Sequence, residues 1–319
     1  MKDPERKALL IVLFIGLVCV GFLGTKMIRQ GFSGEKPPSK NSNLGQSLPP
    51  RIVEVEPEQV MYHKYGRPVK GPLLWERDRR FHEICARYNV AVRMAAFQTT
   101  LPDPLPGEEY NVALAADLLA GTVVPAGKVF STNQTIGPYN SRRGFREGPV
   151  YIGTQVSKNV GGGVCKISTT LYNVATLANL QIIERNSHGM LVPYVPPGQD
   201  ATVSEGSKDF RFKNNTAHPI VIWADTKENT LYMAVYGRIK PPEVTWHHRI
   251  LNRQLMPTIY RYNKNLKAGE EKIIIPGADG VVVKNWLTIK DHNGVITRKE
   301  LGIDYYRPMI RVIERGNPN

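Results

Sequence analysis

The sequence predicts an α+β protein with an N-terminal membrane anchor and a small C-terminal β module. Three observations lead to this fold class: one apolar span near the N-terminus, amphipathic helix patterns up to about residue 180, and strand patterns beyond it. Of the 319 residues, 41 % are hydrophobic, which is enough for an ordinary core. Three cysteines without a C-x-x-C pair exclude a disulfide scaffold and a zinc ribbon. We expect no metal and no cofactor.

The N-terminal span decides the predicted compartment. Residues 8–25 form an 18-residue run without charge, which as a helix measures about 27 Å, close to the thickness of a bilayer core. Lys2, Arg6 and Lys7 precede it and favour a cytoplasmic N-terminus. We therefore expect a single-pass protein held in the cell membrane through residues 8–25, with most of the chain extracytoplasmic. A cleaved signal peptide is the alternative.

The chain is strongly basic, with 42 Lys and Arg against 28 Asp and Glu and a net charge of +14. An extracytoplasmic body makes nucleic acid an improbable partner, and the basic residues are scattered along the chain. Anionic lipid headgroups or an anionic cell wall suit this charge. Simple solubility is the alternative explanation.

Composition divides the chain into four segments. Residues 1–30 form the cytoplasmic tip and anchor, and residues 31–60 form a linker rich in Gly, Ser, Pro and Asn. Residues 61–240 form the main domain, which ends near Pro241-Pro242. Residues 241–319 form the small β module, in which Asn293-Gly294 is a hairpin signal.

Apolar spacing predicts three helices. The first spans residues 74–88 and carries an apolar face of Phe81, Ile84, Cys85 and Tyr88. The second spans residues 111–119, with Val112, Ala115, Ala116 and Leu119 on one face, and the third spans residues 164–180. The strand patterns lie at residues 122–124, from 129, and at 182–183, 190–195, 201–203, 210–212, 220–223, 231–236, 272–275, 280–289, 295–301 and 309–313.

The most informative stretch is a run of three glycines before the third helix. Gly161, Gly162 and Gly163 allow a sharp turn and a close approach of another group. Cys165 then lies in the first helical turn, where the positive end of the helix dipole favours a thiolate. Neither a phosphate loop nor a dinucleotide fingerprint fits these residues. The sequence predicts a nucleophilic thiol, with a buried structural cysteine as the alternative.

A thiol nucleophile requires a base and a residue that orients that base. His188, next to the small Gly189, is the preferred base, and Asp200 is the preferred partner, with Asp209 as its rival. The remaining predicted site residues are substrate-binding. Helical spacing places Thr169 and Tyr172 on the same face as Cys165, and Lys166 follows the cysteine directly. Arg142 and Arg143 could bind a carboxylate. The three glycines Gly161, Gly162 and Gly163 complete the set.

Six segments together resemble the VanW domain family. The resemblance covers about residues 95–237, and a weaker one relates the tail from about residue 265 to G5-type β modules. The segments are Asn133 to Gly137, Arg143-Gly144-Phe145, Gly161 to Asn173, Glu184-Arg185 with His188, Gly198 to Val203, and Phe212 to Thr216.

The resemblance implies a cell-wall function. The family is named for a vancomycin-resistance accessory protein, and some members are linked to L,D-transpeptidase activity on peptidoglycan, with the motif cysteine, here Cys165, as nucleophile. This chain has Lys166 where the family usually has Gln, and Gly189 where it usually has Ser. We expect a Cys-dependent acyltransferase acting on peptidoglycan stem peptides. The alternative is a non-catalytic peptidoglycan-binding scaffold linked to glycopeptide resistance.

Overall fold

The computed structural model describes residues 64–152 and 155–317 of the chain. The predicted anchor at residues 8–25 and linker at residues 31–60 lie outside the described residues. Of the helices within the two described ranges, none is long and apolar enough to cross a membrane.

The described part is rich in strands and has few helices. The α-helices are α1 (Arg79–Tyr88), α2 (Glu108–Leu119), α3 (Thr132–Ile136) and α4 (Cys165–Leu177), and Ser141–Arg143 forms a 3-10 helix. The strands before residue 240 are β1 (Gly66–Pro68), β2 (Val92–Thr100), β3 (Thr122–Val124), β4 (Val129–Ser131), β5 (Glu147–Ile152), β6 (Gln155–Val160), β7 (Gln181–Glu184), β8 (Arg211–Lys213), β9 (Ile220–Lys227) and β10 (Thr230–Gly237). The later strands are β11 (Glu243–Gln254), β12 (Thr258–Tyr262), β13 (Glu271–Ile275), β14 (Gly280–Lys290), β15 (Ile296–Tyr306) and β16 (Arg311–Arg315).

A five-stranded antiparallel sheet in the order β1-β2-β10-β9-β3 is the base of the main domain. Its central strands are apolar on both faces. In β9, Ile220 and Ile222 face the cluster formed with α2 and α4, whereas Val221 and Trp223 face the cluster formed with α1. This period of two fits a sheet that is covered on both sides.

Helix α4 crosses the interior of the main domain. Its residues from Lys166 to Thr176 are all buried, and it packs on β2 and β10 of the five-stranded sheet. A helix surrounded by protein on all sides holds its first turn in a fixed place, because every side chain is constrained by close packing. The backbone of Cys165, the residue at the N-terminus of this helix, is therefore held in a fixed position.

The C-terminal β module contains two three-stranded sheets. One has the order β11-β14-β15, and the other has the order β12-β16-β13, in which β12 and β16 are parallel. The predicted hairpin at Asn293-Gly294 is confirmed, because it joins the antiparallel strands β14 and β15.

The predicted strands at residues 190–195 and 201–203 are wrong. Both segments are buried irregular chain. Their backbone groups bond to side chains and loops instead of a strand ladder: Thr202 N–H donates to the Asn186 carbonyl, and Ala201 N–H donates to Thr169 Oγ1. Apolar runs such as these mark burial, and burial alone does not distinguish a strand from a packed loop.

The predicted first helix was also too long. It begins at Arg79 because the Asp78 carboxylate caps it, accepting from the N–H groups of Arg80 and Phe81. The expected apolar face of Phe81, Ile84, Cys85 and Tyr88 is confirmed as part of the second core cluster.

We predict that core and surface positions of one strand differ sharply in their effect on stability. Phe130 is 4 % exposed and stacks on Phe212 with ring centroids 5.1 Å apart, whereas its neighbour Val129 is 43 % exposed. Phe130→Ala should lower the free energy of unfolding by about 3–5 kcal/mol, and Val129→Ala by roughly 0.5 kcal/mol. Urea denaturation measures both, and equal losses would contradict the burial pattern.

Candidate active site

The three-glycine loop brings the start of α4 against the β5–β6 hairpin. A Cβ atom on Gly162 would lie 2.1 Å from the backbone of Gly148, so only glycine fits this contact. Gly163 has φ +100°, a conformation that side-chain-bearing residues rarely adopt. These two constraints explain the glycine run and fix where α4 begins.

Cys165 is the first residue of α4 and is partly buried. Its Sγ lies 3.2 Å from Thr202 Oγ1 and 3.5 Å from the Val203 carbonyl oxygen. Cys165 and His188 also lie close enough for each to shift the pKa of the other. The thiol is free, as is that of Cys85.

His188 is held by Asp200 through two separate hydrogen bonds. Asp200 Oδ2 lies 2.6 Å from His188 Nδ1 and accepts from the His188 backbone N–H at 2.7 Å. Because the carboxylate takes Nδ1 as its donor, Nε2 is the ring nitrogen left for the thiol. The three side chains form a Cys–His–Asp relay with the connectivity of a nucleophile, a base and an orienting acid.

The other carboxylate oxygen of Asp200 is also occupied. Oδ1 accepts from Arg185 Nη2 at 3.0 Å and from the Tyr306 hydroxyl. Asp200 is only 1 % exposed. A buried carboxylate is stable only when its oxygens are paired, and here four donors surround it.

These contacts set the charge state of the relay. Burial raises the pKa of the Cys165 thiol. The hydrogen bond and charge of His188 lower that pKa by more than burial raises it, so the pKa falls below its ordinary value. Burial lowers the pKa of His188, but Asp200 and Cys165 raise it to about 9. The pKa of Asp200 is held below its ordinary value, because His188 and Arg185 outweigh the effect of burial. The relay therefore favours a thiolate–imidazolium pair.

The thiol faces a cleft of about 560 Å³. The residues that line it include the glycine loop, Cys165, His188, Tyr139, Tyr194 and most of the segment after Ala201 up to Lys208. This volume is in the range of small-molecule and peptide sites. In the described ranges, no group of three or more His, Cys, Asp or Glu residues is placed to hold a metal ion.

Three residues predicted near the thiol are instead buried within the fold. Lys166 Nζ pairs with Glu109 Oε1 at 2.9 Å and donates to the Asn229 carbonyl at 2.8 Å, outside the cleft. A one-residue step along a helix rotates the side chain by about 100°, which turns Lys166 away from Cys165. Thr169 bonds to the backbone of Ala201, and Tyr172 packs edge-on against Trp246. None of the three is among the residues that line the cleft.

The predicted arginine pair lies apart from the cleft. Arg142 and Arg143 are exposed in the 3-10 helix. Arg143 donates to the carbonyls of Ile136 and Thr135, so its guanidinium supports a loop. Neither residue is among those that line the cleft.

Sequence reasoning missed four residues of the site. Thr202 and Arg185 belong to segments that were singled out, but neither was given a role. Tyr139 lines the cleft, with its hydroxyl bonded to Asn133. Tyr306 reaches Asp200 from 106 residues further along the chain, and no local pattern signals such a contact.

Comparison with known proteins places the site in a recognised module. Residues 107–236 match the family described as VanW like protein, and residues 255–317 match the G5 domain. YoaR of Bacillus subtilis is 41 % identical over 128 residues, covering 40 % of this chain and 42 % of YoaR. The vancomycin B-type resistance protein VanW of Enterococcus faecalis is 27 % identical over 138 residues, covering 41 % of this chain and 50 % of that protein. The chain thus spans half or less of these relatives.

Two solved G5 structures also match. The G5 domain of IgA1 protease is 17 % identical and the G5 domain of HP0197 is 18 % identical, with TM-scores of 0.16 and 0.14. They cover 26 % and 23 % of this chain, and the matches include 100 % and 99 % of those domains. The two family matches and the two sequence relatives show that the chain carries a VanW-like domain followed by a C-terminal G5 domain, and that it is homologous to YoaR and VanW.

Proposed function

We propose that this protein is a Cys-dependent acyltransferase that acts on peptidoglycan stem peptides in the manner of an L,D-transpeptidase. The observation that carries the proposal is the Cys165–His188–Asp200 relay, of which Cys165 and His188 line a cleft. A structural cysteine would need neither a histidine partner nor a cleft.

The proposed reaction has two stages. The Cys165 thiolate attacks the carbonyl carbon of a stem-peptide amide, and a C–S bond forms while the oxygen becomes negative. The N–H groups of Val164, Lys166 and Ile167 already donate to nearby backbone carbonyls. The backbone N–H of Cys165 itself therefore donates to this oxyanion at the start of α4. The C–N bond then breaks, and the His188 imidazolium gives its proton to the leaving amine.

The thioester is then resolved. An amine of a second stem peptide attacks the thioester carbon, its proton passes to His188, and Cys165 leaves as thiolate. Water in place of the amine gives a carboxylic acid, which is the hydrolytic outcome. Asp200 keeps the imidazole oriented through both stages and stays ionised.

Several features support a cell-wall substrate. The homologous VanW is by name a vancomycin resistance protein, and glycopeptide resistance is a property of the wall. The chain is basic, and the wall is anionic. We extend the proposal to location: the span at residues 8–25 anchors the chain, the linker at 31–60 separates it from the membrane, and both domains meet peptidoglycan outside the cell.

We predict that Cys165 reacts with iodoacetamide at a pH below the ordinary thiol pKa of about 8.5. Cys85 provides an internal reference, because burial raises its pKa to about 11. His188→Ala should slow the reaction of Cys165 near neutral pH, since the thiolate loses its hydrogen-bonded cation. His292→Ala, at an exposed turn, is the matched control. Alkylation only on unfolding would support a structural cysteine.

We predict that Cys165→Ala and Cys165→Ser abolish acyl transfer while the protein stays folded, because the thiol lines a cleft, is only partly buried, and is a small side chain to lose. A hydroxyl is far less acidic than a thiol, so serine does not replace it. Cys85→Ala is the control that keeps activity. Mass spectrometry of peptidoglycan fragments incubated with each variant reads the products. Unchanged wall products with Cys165→Ala would favour the non-catalytic scaffold.

We predict a bell-shaped pH dependence of acyl transfer. Protonation of the thiolate removes activity as the pH falls through the lowered pKa of Cys165. Loss of the imidazolium proton removes the general acid as the pH rises through about 9. Initial rates across this range measure the profile. A rate that keeps rising above the upper limit would contradict the assignment of His188 as general acid.

A further inference from the structure

We propose that the C-terminal β module is part of the catalytic unit, and that Tyr306 is a positioning residue that holds the Asp200 end of the relay. This inference rests on the proposed function. It goes further by assigning a role in the site to a residue within the G5 match at 255–317, outside the VanW match that contains Cys165, His188 and Asp200.

Tyr306 makes two buried hydrogen bonds to the Asp200 loop. It is 4 % exposed, and its hydroxyl donates to Asp200 Oδ1 and accepts from the Gly198 N–H at 2.8 Å. One hydroxyl thus fixes both the carboxylate and the backbone two residues before it. Gly198 has φ +90°, and a Cβ there would lie 2.2 Å from the side chain of Asn285 in β14. The loop is therefore shaped to fit against the module.

A second set of contacts ties the module to the His188 side of the relay. Arg185 bridges Asp200 and Asp304, a β15 residue, and it also donates to the backbone carbonyl of Asp200 at 2.7 Å. The Arg307 N–H donates to the carbonyl of Gly189, next to His188, at 2.8 Å. Both loops that carry the relay are therefore held by strand β15 and the residue after it.

Removal of these contacts has a defined chemical consequence. Each hydrogen bond to a carboxylate favours its ionised form, and each fixes the direction in which its other oxygen points. Without the Tyr306 hydroxyl, the Gly198 N–H loses its partner, and Asp200 Oδ1 keeps only Arg185. Oδ2 is then less restrained toward His188, and the stabilisation of the Cys165 thiolate weakens. The expected result is a shift in thiol reactivity without any change at the thiol itself.

The test compares Tyr306→Phe with Tyr305→Phe in the full-length protein, with Cys19 and Cys85 both replaced by alanine so that Cys165 is the one thiol that reports. Tyr305 is the adjacent residue of β15 and is 66 % exposed, so it controls for loss of a hydroxyl in the same strand. The readout is the pH profile of Cys165 alkylation by iodoacetamide, which needs no substrate. Circular dichroism and thermal unfolding verify that each variant is folded.

We expect Tyr306→Phe to move the inflection of the profile toward the ordinary thiol value and Tyr305→Phe to leave it in place. A shift of half a pKa unit corresponds to a roughly threefold lower thiolate fraction below the inflection. Asp304→Asn keeps the shape of the side chain and weakens its ion pair with Arg185, so it should move the profile in the same direction. If Tyr306→Phe does not fold, Asp304→Asn takes its place in the test.

The outcomes separate this inference from the proposed function. In one outcome, the wild-type profile has a lowered inflection, and neither Tyr306→Phe nor Asp304→Asn moves it. That result would overturn the role of the module and leave the thiol mechanism standing. A wild-type profile with an ordinary thiol inflection would overturn the proposed function, and the positioning role with it.

Discussion

The buried carboxylate of Asp200 is the constraint on which the rest of the site depends. A charge with 1 % exposure is tolerated only if its oxygens are fully paired, and the fold supplies the donors from two distant parts of the chain, residues 185–188 and Tyr306. His188 provides two of them, Arg185 a third and Tyr306 a fourth. Each donor offsets part of the desolvation cost of the carboxylate, and its hydrogen bond to Asp200 fixes its position. The imidazole is oriented as a consequence, and its charge then stabilises the Cys165 thiolate.

The position of the Cys165 thiol depends on a separate set of contacts, made by the glycine loop and by the start of α4. The glycine loop packs its backbone against Gly148 and starts α4 at Cys165, and the burial of that helix makes the start rigid. The irregular segment after Asp200 then places Thr202 beside the sulfur. Two supports that are far apart in the sequence, a helix start and a packed loop, meet at one cleft. This arrangement suits chemistry that needs a fixed nucleophile and an open approach for a peptide.

Much of this arrangement could be predicted from residue types and spacing, and the limits have physical causes. Helical spacing predicted the apolar faces of α1 and α2, and the glycine run predicted a following helix with Cys165 in its first turn. Spacing alone cannot tell a cleft from a core, and so Thr169 and Tyr172 were expected in the site although the structure buries them. For the same reason, strands were predicted at 190–195 and 201–203, where the structure has buried loops. Contacts such as Tyr306 with Asp200 depend on tertiary packing and leave no local signal.

The central claim is that Cys165 and His188 exist as a thiolate–imidazolium pair at neutral pH. Carbon-13 NMR of the Cys165 Cβ and the His188 ring carbons, recorded across pH in a Cys85→Ala background, tests it most directly. The account predicts that both signals titrate together in two shared steps, with the thiolate formed below its ordinary range and His188 protonated up to about pH 9. A thiol that ionises near 8.5 while His188 titrates separately near 6.5 would contradict it.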